Sequence, residues 1–228
     1  MRTEPPYWLE EAYDDAVSRV DVGLVGRNLA FAPITEMIIR CFFDPKARFL
    51  DYGGGCGLLV RLMRDCGLDF GWYDRYATNL LARGFEGNTD ERYELVTAFE
   101  LFEHLEDPLN EISRIFASSQ NILFSTQLLP ASKPKPGEWW YFALETGQHI
   151  SIYSRESLRK IAQRFGVNLY SAGMLHLLTP KRISPSVFRM LCRGGVSRFL
   201  KRFVRSESLG LQDREIISQT IRLEGTKR

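Results

Sequence analysis

The run Gly53-Gly54-Gly55-Cys56-Gly57 follows a short strand-like segment, Arg48–Tyr52, and precedes a helical stretch, Leu58–Asp65. A glycine turn between a strand and a helix lets a ligand approach the backbone, with the amide N–H groups of the helix N-terminus available to an anion. The glycines fall as GxGxG at Gly53, Gly55 and Gly57; the GxGxxG of dinucleotide enzymes would need glycine at the position of Leu58. Asp74 closes the next strand-like segment, Phe70–Asp74, where a carboxylate can accept both hydroxyls of a ribose. These features predict a nucleoside ligand at the carboxyl ends of the strands.

Imidazole is the side chain whose ordinary pKa, about 6.5, lies closest to neutrality, so the histidines are the candidate proton acceptors. His104 stands in Glu100-Leu-Phe-Glu-His104, at the exit of a strand, where sites form in α/β sheets. His149 stands in Thr146-Gly-Gln-His-Ile150, beyond the Pro-rich stretch Leu129–Gly137 and before a helix beginning near Ser154. His176 falls inside the last pair of strands and is expected to be packed. Glu100, Glu103 and His104 are donor types that suit a divalent cation. Residues 103 and 104 are neighbours expected to point apart, however, and the segment reads as an acidic helix start before Asp107-Pro108, so no metal ligand is assigned. Trp139, Trp140, Tyr141 and Phe142 either offer aromatic faces to a sugar or planar ring, or plug the loop that carries them.

Around these residues the patterning alternates. Apolar positions Leu9, Ala12, Tyr13, Ala16, Val17 and Val20 recur at helical spacing, and a second helix is expected over Ile34–Phe43, closed by Asp44-Pro45. Further strands are expected at Tyr93–Phe99 and Asn121–Gln127, separated by helices near 108–117 and 154–165. Val167–Ser171 and Met174–Thr179 are joined by two residues, which permits only an antiparallel pair. The fold class is therefore α/β: a Rossmann-like, mostly parallel sheet with helices on both faces and a terminal antiparallel hairpin. Three regions are expected: an N-terminal helical lid over 1–30, a ligand-binding domain over 31–180, and a basic extension over 181–228.

The extension carries its own pattern. Residues 1–180 hold 18 Lys/Arg and 24 Asp/Glu, whereas residues 181–228 hold 12 and 4. Val196, Phe199, Leu200, Phe203 and Val204 fall on one helical face, opposite Arg198, Lys201, Arg202 and Arg205. Such a helix either packs or dimerises through its apolar face or lies on an anionic membrane surface. Nucleic acid is not expected, because the body is acidic and the aromatics are not interleaved with the cations. With 228 residues, 44% of them hydrophobic and 25% charged, the chain can bury a core without metal or disulfide support. Cys41, Cys56, Cys66 and Cys192 show no zinc-type spacing and read as reduced thiols. The absence of a long apolar run and the acidic, Pro-containing start, MRTEPPYWLEE, lead to the expectation of a cytoplasmic protein.

LDYGGGCG, the strand-terminal Asp74 and the segment ELFEHLEDP, in that order, resemble class I S-adenosylmethionine-dependent methyltransferases of the small-molecule type, over residues 30–180. The resemblance implies S-adenosylmethionine as cofactor. It would place Asp51, Gly53, Gly55 and Gly57 by its methionine part with loop amides facing the carboxylate, Asp74 on the ribose, and Phe99 and Glu100 beside the reaction centre. The 18 residues between Asp74 and Tyr93 leave little room for the helix and strand that usually wall the adenine, with Tyr76, Asn79 and Phe85 the available neighbours. Glu100, Glu103 and His104 also resemble an acidic-histidine triplet of ubiquinone-pathway O-methyltransferases. RNLAF and WWYFALETGQHISIYSRESL resemble a bacterial branch associated with glycan or small-molecule pathways. The implied activity is methyl transfer to a small molecule or glycan precursor, at a hydroxyl, with His149 or His104 as base. The other readings are a nicotinamide-dependent oxidoreductase and a non-catalytic nucleoside-binding protein on the same fold.

Overall fold

The computed structural model describes residues 22–145 and 148–225; the helix expected over Trp8–Val20 lies outside them. The elements run α1 (Leu24–Phe42), β1 (Arg48–Tyr52), α2 (Leu58–Asp65), β2 (Asp69–Tyr73), β3 (Leu95–Ala98), α3 (Pro108–Ser118) and β4 (Ile122–Ser125). Then follow α4 (Arg155–Arg164), β5 (Asn168–Ala172), β6 (Leu175–Thr179), α5 (Pro185–Leu191), α6 (Gly194–Lys201) and α7 (Gly210–Gly225). The six strands form one sheet in the order β2-β1-β3-β4-β6-β5. β1 pairs parallel with β2 and β3, and β3 pairs parallel with β4. β6 enters antiparallel between β4 and β5, setting Leu123 against Leu177 and Phe124 against His176. This is the Rossmann-like arrangement with a reversed last pair that the alternating pattern predicts. Each face of the sheet backs a separate apolar cluster. One is built on Phe49, Val60, Met63 and Phe70 with Ile38 and Ile39 of α1, the other on Leu50, Val96, Phe102, Ile112 and Phe124.

The helix expected from Ile34 begins ten residues earlier, at Leu24, and runs through Pro33 and across residues 30 and 31. A proline inside a helix removes one backbone donor and costs about 3 kcal/mol. Here every residue from Phe31 to Ile39 is buried, and that burial outweighs the lost bond. The other helices start where local chemistry directs. The Asp107 carboxylate accepts from the Asn110 amide ahead of Pro108, and Ser154 and Ser157 cap α4 reciprocally.

Between Asp74 and Tyr93 the chain forms no helix or strand element. Trp72 N–H donates to the Phe85 carbonyl, Gly87 N–H donates back to the Trp72 carbonyl, and an isolated bridge joins Trp72 to Glu86. A single-residue bridge thus stands on the outer edge of β2, where the short spacer leaves no length for a strand.

The apolar residues of the carboxyl-terminal extension divide in the fold. Leu200 and Val204 pack against the core, whereas Phe199 and Phe203 are 56% and 73% exposed, and Ser197 is fully buried. The reason lies on α1. Glu36 is fully buried there, and an unpaired carboxylate in that position would be costly. Lys201 supplies its partner at 3.0 Å, with Arg40 on the other oxygen at 3.0 Å, so α6 turns its Ser197–Lys201 side inward. Asp213 of α7 is likewise buried, between Arg64 (Nη2 at 2.7 Å) and Arg61. Burial alone would raise its pKa, but the two guanidinium groups hold it below the ordinary carboxylate range.

Candidate active site

A cavity of about 770 Å³ opens at the carboxyl ends of β1 to β4, a volume that suits a nucleoside-sized ligand. It is lined by Asp51, Gly53, Gly54, Gly55, Asp74, Phe99, Glu100, His104 and His149, and on the other side by Arg27, Asn28 and Phe31 of α1. Gly57 lies just outside that lining and makes the turn into α2. Its φ of +86° belongs to the left-handed region, and a Cβ there would sit 2.9 Å from that of Ala82. Gly54 passes under the Trp72 ring, where a Cβ would stand 2.7 Å from Cδ1.

The amides of Gly53, Gly54 and Gly55, expected to face a ligand carboxylate, turn inward instead. Gly53 and Gly54 donate to the Tyr73 carbonyl, and Gly55 donates to Asp74 Oδ2 at 2.9 Å. Asp74 Oδ1 accepts from the amides of Tyr76 and Ala77, both at 2.8 Å. The acid at the end of β2 therefore ties the glycine loop to the segment after it while bordering the cavity. Because no side chain caps the first turn of α2, its amide groups remain as the donors for an anionic group. At Gly55 a Cβ would meet nothing within 4 Å, so the backbone itself forms the wall. Loop, helix end and cavity fit the nucleoside ligand that the glycine pattern predicts.

Asp51 is buried and accepts from Thr97 Oγ1 at 2.6 Å. Burial pushes its pKa up to about 7, with Thr97 opposing and the nearby Asp74 charge reinforcing. Phe99 packs against Phe31 with ring centroids 4.8 Å apart. Glu100 adopts a left-handed φ of +50°, unusual for a residue with a side chain. Ser125 clamps it there: the Glu100 amide donates to Ser125 Oγ at 2.7 Å, and that hydroxyl donates to Glu100 Oε1 at 2.6 Å. Glu100 Oε2 faces Arg27 Nε at 3.7 Å. Of the three expected adenine neighbours, Tyr76 alone lines the cavity. Asn79 instead caps the Ala82 amide and donates to Glu86, and Phe85 lies under the guanidinium of Arg64 at 4.0 Å.

His104 and His149 come together, 45 residues apart in sequence, with ring centroids 4.9 Å apart in an edge-to-face contact. His104 Nδ1 meets the Gln148 carbonyl at 3.1 Å and His149 Nδ1 meets the Tyr141 carbonyl at 2.6 Å. A carbonyl only accepts, so in each neutral ring Nδ1 carries the proton and Nε2 the lone pair. Burial lowers the His149 pKa, against its bond to the Tyr141 carbonyl and the charge of Glu100, and so favours the neutral ring. His176 is fully buried, with Ser171 Oγ and the Thr126 carbonyl on its two nitrogens, and burial lowers its pKa to about 4. It is packed, as expected.

Beneath the two imidazoles lies a pair that sequence patterning misses. Tyr141, 1% exposed, donates from its hydroxyl to Glu103 Oε1 at 2.7 Å and accepts from the Gln127 amide at 3.1 Å. Glu103 is fully buried and, among the described residues, its Oε2 has no hydrogen-bond partner. Burial above all, and then the Glu100 charge, raise its pKa. Among the described residues, Glu103, His104 and His149 offer ligand atoms within 4.8 Å of one another, a donor set able to hold a divalent cation. Glu100, grouped with Glu103 and His104 in the sequence pattern, is turned instead to Ser125 and Arg27. The aromatic segment divides its roles: Tyr141 is the buried plug, and Trp140, 73% exposed, borders the cavity. A polar tip on a fully buried ring was the available signal for Tyr141, but Glu103 became legible only once the loop was closed.

A family model described as a methyltransferase domain matches residues 27–172. Among solved structures, a chain of the Haloferax volcanii complex containing the Trm112 methyltransferase activator is similar over 70% of this chain and 96% of that one, at 12% identity and a TM-score of 0.50. Magnesium protoporphyrin IX methyltransferase from Synechocystis PCC 6803, with bound S-adenosylhomocysteine, aligns over 68% of this chain and 82% of its own, at 15% identity and a TM-score of 0.48. The pyocyanin biosynthetic protein PhzM aligns over 67% of this chain at 15% identity and a TM-score of 0.48, and the chain spans only 54% of that protein's length. A search of curated proteins finds no match. Similarity at these identities speaks to the fold alone, whereas the family model covers more than half of the chain. With the glycine turn, the acid after β2 and the cavity between them in place, the chain belongs to the class I methyltransferase-domain family, whose cofactor is S-adenosylmethionine.

Proposed function

We propose that this protein methylates a hydroxyl of a small molecule or glycan precursor, with His149 as general base. The observation that carries this reading is the tautomer. The Tyr141 carbonyl holds the proton on Nδ1, and burial disfavours the imidazolium, so a basic Nε2 is offered on the cavity wall. When bound, S-adenosylmethionine supplies an activated methyl carbon, and the nucleophile needs placement behind it and loss of a proton. Nε2 of His149 takes that proton. The adjacent His104, fixed through the Gln148 carbonyl, sets the angle of the ring. Asp74 and the uncapped turn of α2 hold the nucleoside and carboxylate ends of the cofactor. Asp51, Phe99 and Glu100 line the wall between them. Trp140 at the rim offers a face to a planar ring or sugar. The acidic body and the nucleoside-sized cavity favour a small acceptor over nucleic acid, and the chain acts in the cytoplasm.

The test is a screen with methyl-labelled S-adenosylmethionine against phenols, free sugars and nucleoside-diphosphate sugars. Once an acceptor is found, His149→Ala should lower turnover by about 10²–10⁴-fold with cofactor affinity unchanged. The rate should fall as the pH drops through the His149 pKa, which burial holds below the ordinary imidazole value of about 6.5, because only the neutral ring accepts a proton. Full turnover in His149→Ala moves the base role to His104, and a pH-independent rate in both single variants removes it from histidine.

A further inference from the structure

The inward turn of α6 packs Leu200 on the core but leaves two phenylalanines outside. Phe199 and Phe203, one helical turn apart, are 56% and 73% exposed with ring centroids 5.3 Å apart. Their exposure follows from the Lys201–Glu36 pair, which takes the inward side of the helix for charge neutralisation. Beside them Arg198, Arg202 and Arg205 are all exposed. From Lys181 to Ser206 the chain carries eight Lys/Arg and no Asp or Glu. On this surface two adjacent aromatic rings are thus set among guanidinium groups, in a stretch of chain that carries no acid of its own.

That combination narrows the occupant. A second copy of the same face would bring Arg198, Arg202 and Arg205 against their own copies, a like-charge contact that association disfavours. An acidic protein would satisfy the arginines but offers no general reason for paired exposed phenylalanines between them. An anionic bilayer satisfies both at once: phosphodiester oxygens match the planar fork of arginine, and the apolar layer directly beneath receives the rings. Arginine outnumbers lysine six to two in this stretch, which favours phosphate recognition over simple charge. We propose that the surface formed by Phe199 of α6 and Phe203 just beyond its end, with Arg198, Arg202 and Arg205, is a peripheral docking surface for anionic phospholipid membranes. Among the described residues no helix is long and apolar enough to cross a membrane, so the attachment is superficial and reversible.

The test is flotation of the full chain with phosphatidylcholine vesicles, with and without phosphatidylglycerol, alongside light scattering of the free protein. Binding is expected only with phosphatidylglycerol and should weaken as salt rises. The Phe199→Ser/Phe203→Ser double variant should bind at least about tenfold more weakly, since it removes both rings that enter the apolar layer. Both side chains are exposed, so its unfolding midpoint should match the parent, which separates lost docking from lost fold. Failure to float with phosphatidylglycerol overturns the proposal. So does vesicle binding that is indifferent to the double variant, which would be charge attraction without insertion. A dimer dissolved by that variant would show that a second copy covers the face, and overturns it as well.

Discussion

Replacing Tyr141 by Phe removes one oxygen from the floor of the site and keeps the ring. Three groups depend on that oxygen: Glu103 Oε1 at 2.7 Å, the Gln127 amide at 3.1 Å and Thr126 Oγ1 at 3.2 Å. Glu103 Oε2 has no hydrogen-bond partner among the described residues, so the variant takes from a fully buried carboxyl the Tyr141 donor on its other oxygen. Loss of a bond to a charged group is worth about 1.5–3 kcal/mol, and the half-buried Gln127 amide loses its acceptor as well. We expect a loss of about 3 kcal/mol, which for a chain of this size lowers the unfolding midpoint by about 6–12 °C. The effect should depend on pH in a stated direction. Burial raises the Glu103 pKa, so the stability linked to this group is full below the ordinary glutamate value of about 4.3 and is lost as pH rises through the folded value. Without the Tyr141 donor the folded value rises further, so the gap between variant and parent should widen from pH 5 to pH 8 in parallel melts. A double-mutant cycle with Glu103→Gln should show a coupling of about 1–3 kcal/mol. A shift below about 2 °C at neutral pH, or additive single changes, would refute the reasoning and show that the hydroxyl is satisfied elsewhere.

Asp74→Ala should weaken S-adenosylhomocysteine binding at least about tenfold by calorimetry, because one carboxylate both borders the cavity and holds three loop amides; unchanged affinity would remove Asp74 from cofactor binding. Asp213→Asn should release α7 from Arg64 and Arg61, seen as faster amide exchange over 210–223 than in the parent, and equal exchange would show that the buried pair does not anchor the helix. Because its two arginines depress the Asp213 pKa, the stability it contributes is complete above about pH 4 and lost as pH falls below that. Acid should therefore detach α7 in the parent too.

Much of the cofactor side of this protein is a local matter, and local matters are written in order along the chain. A left-handed turn at Gly57 requires glycine whatever surrounds it, the acid after β2 is one strand length further on, and Asp107-Pro108 and Ser154 start helices through bonds within four residues. Alternating strand and helix segments leave few ways to build a sheet, and the two-residue link before β6 leaves only reversal. The length from Asp74 to Tyr93 likewise excludes a full helix and strand before any fold is known.

What tertiary structure alone decided involves groups that meet across the fold. His104 and His149 become neighbours, and Tyr141 reaches Glu103, only when the long loop after β4 folds back over the end of β3. Asn79 and Phe85 were plausible adenine contacts by position, yet Glu86 and the arginines of α2 claimed them. The helix expected from Ile34 extends back to Leu24 because burial of Phe31 to Ile39 outweighs the donor missing at Pro33. The helical wheel of α6 ranked residues by hydrophobicity, whereas the fold had a buried glutamate to neutralise. One charge without solvent costs more than two phenylalanines left in it, so Lys201 turned inward and Phe199 and Phe203 turned out.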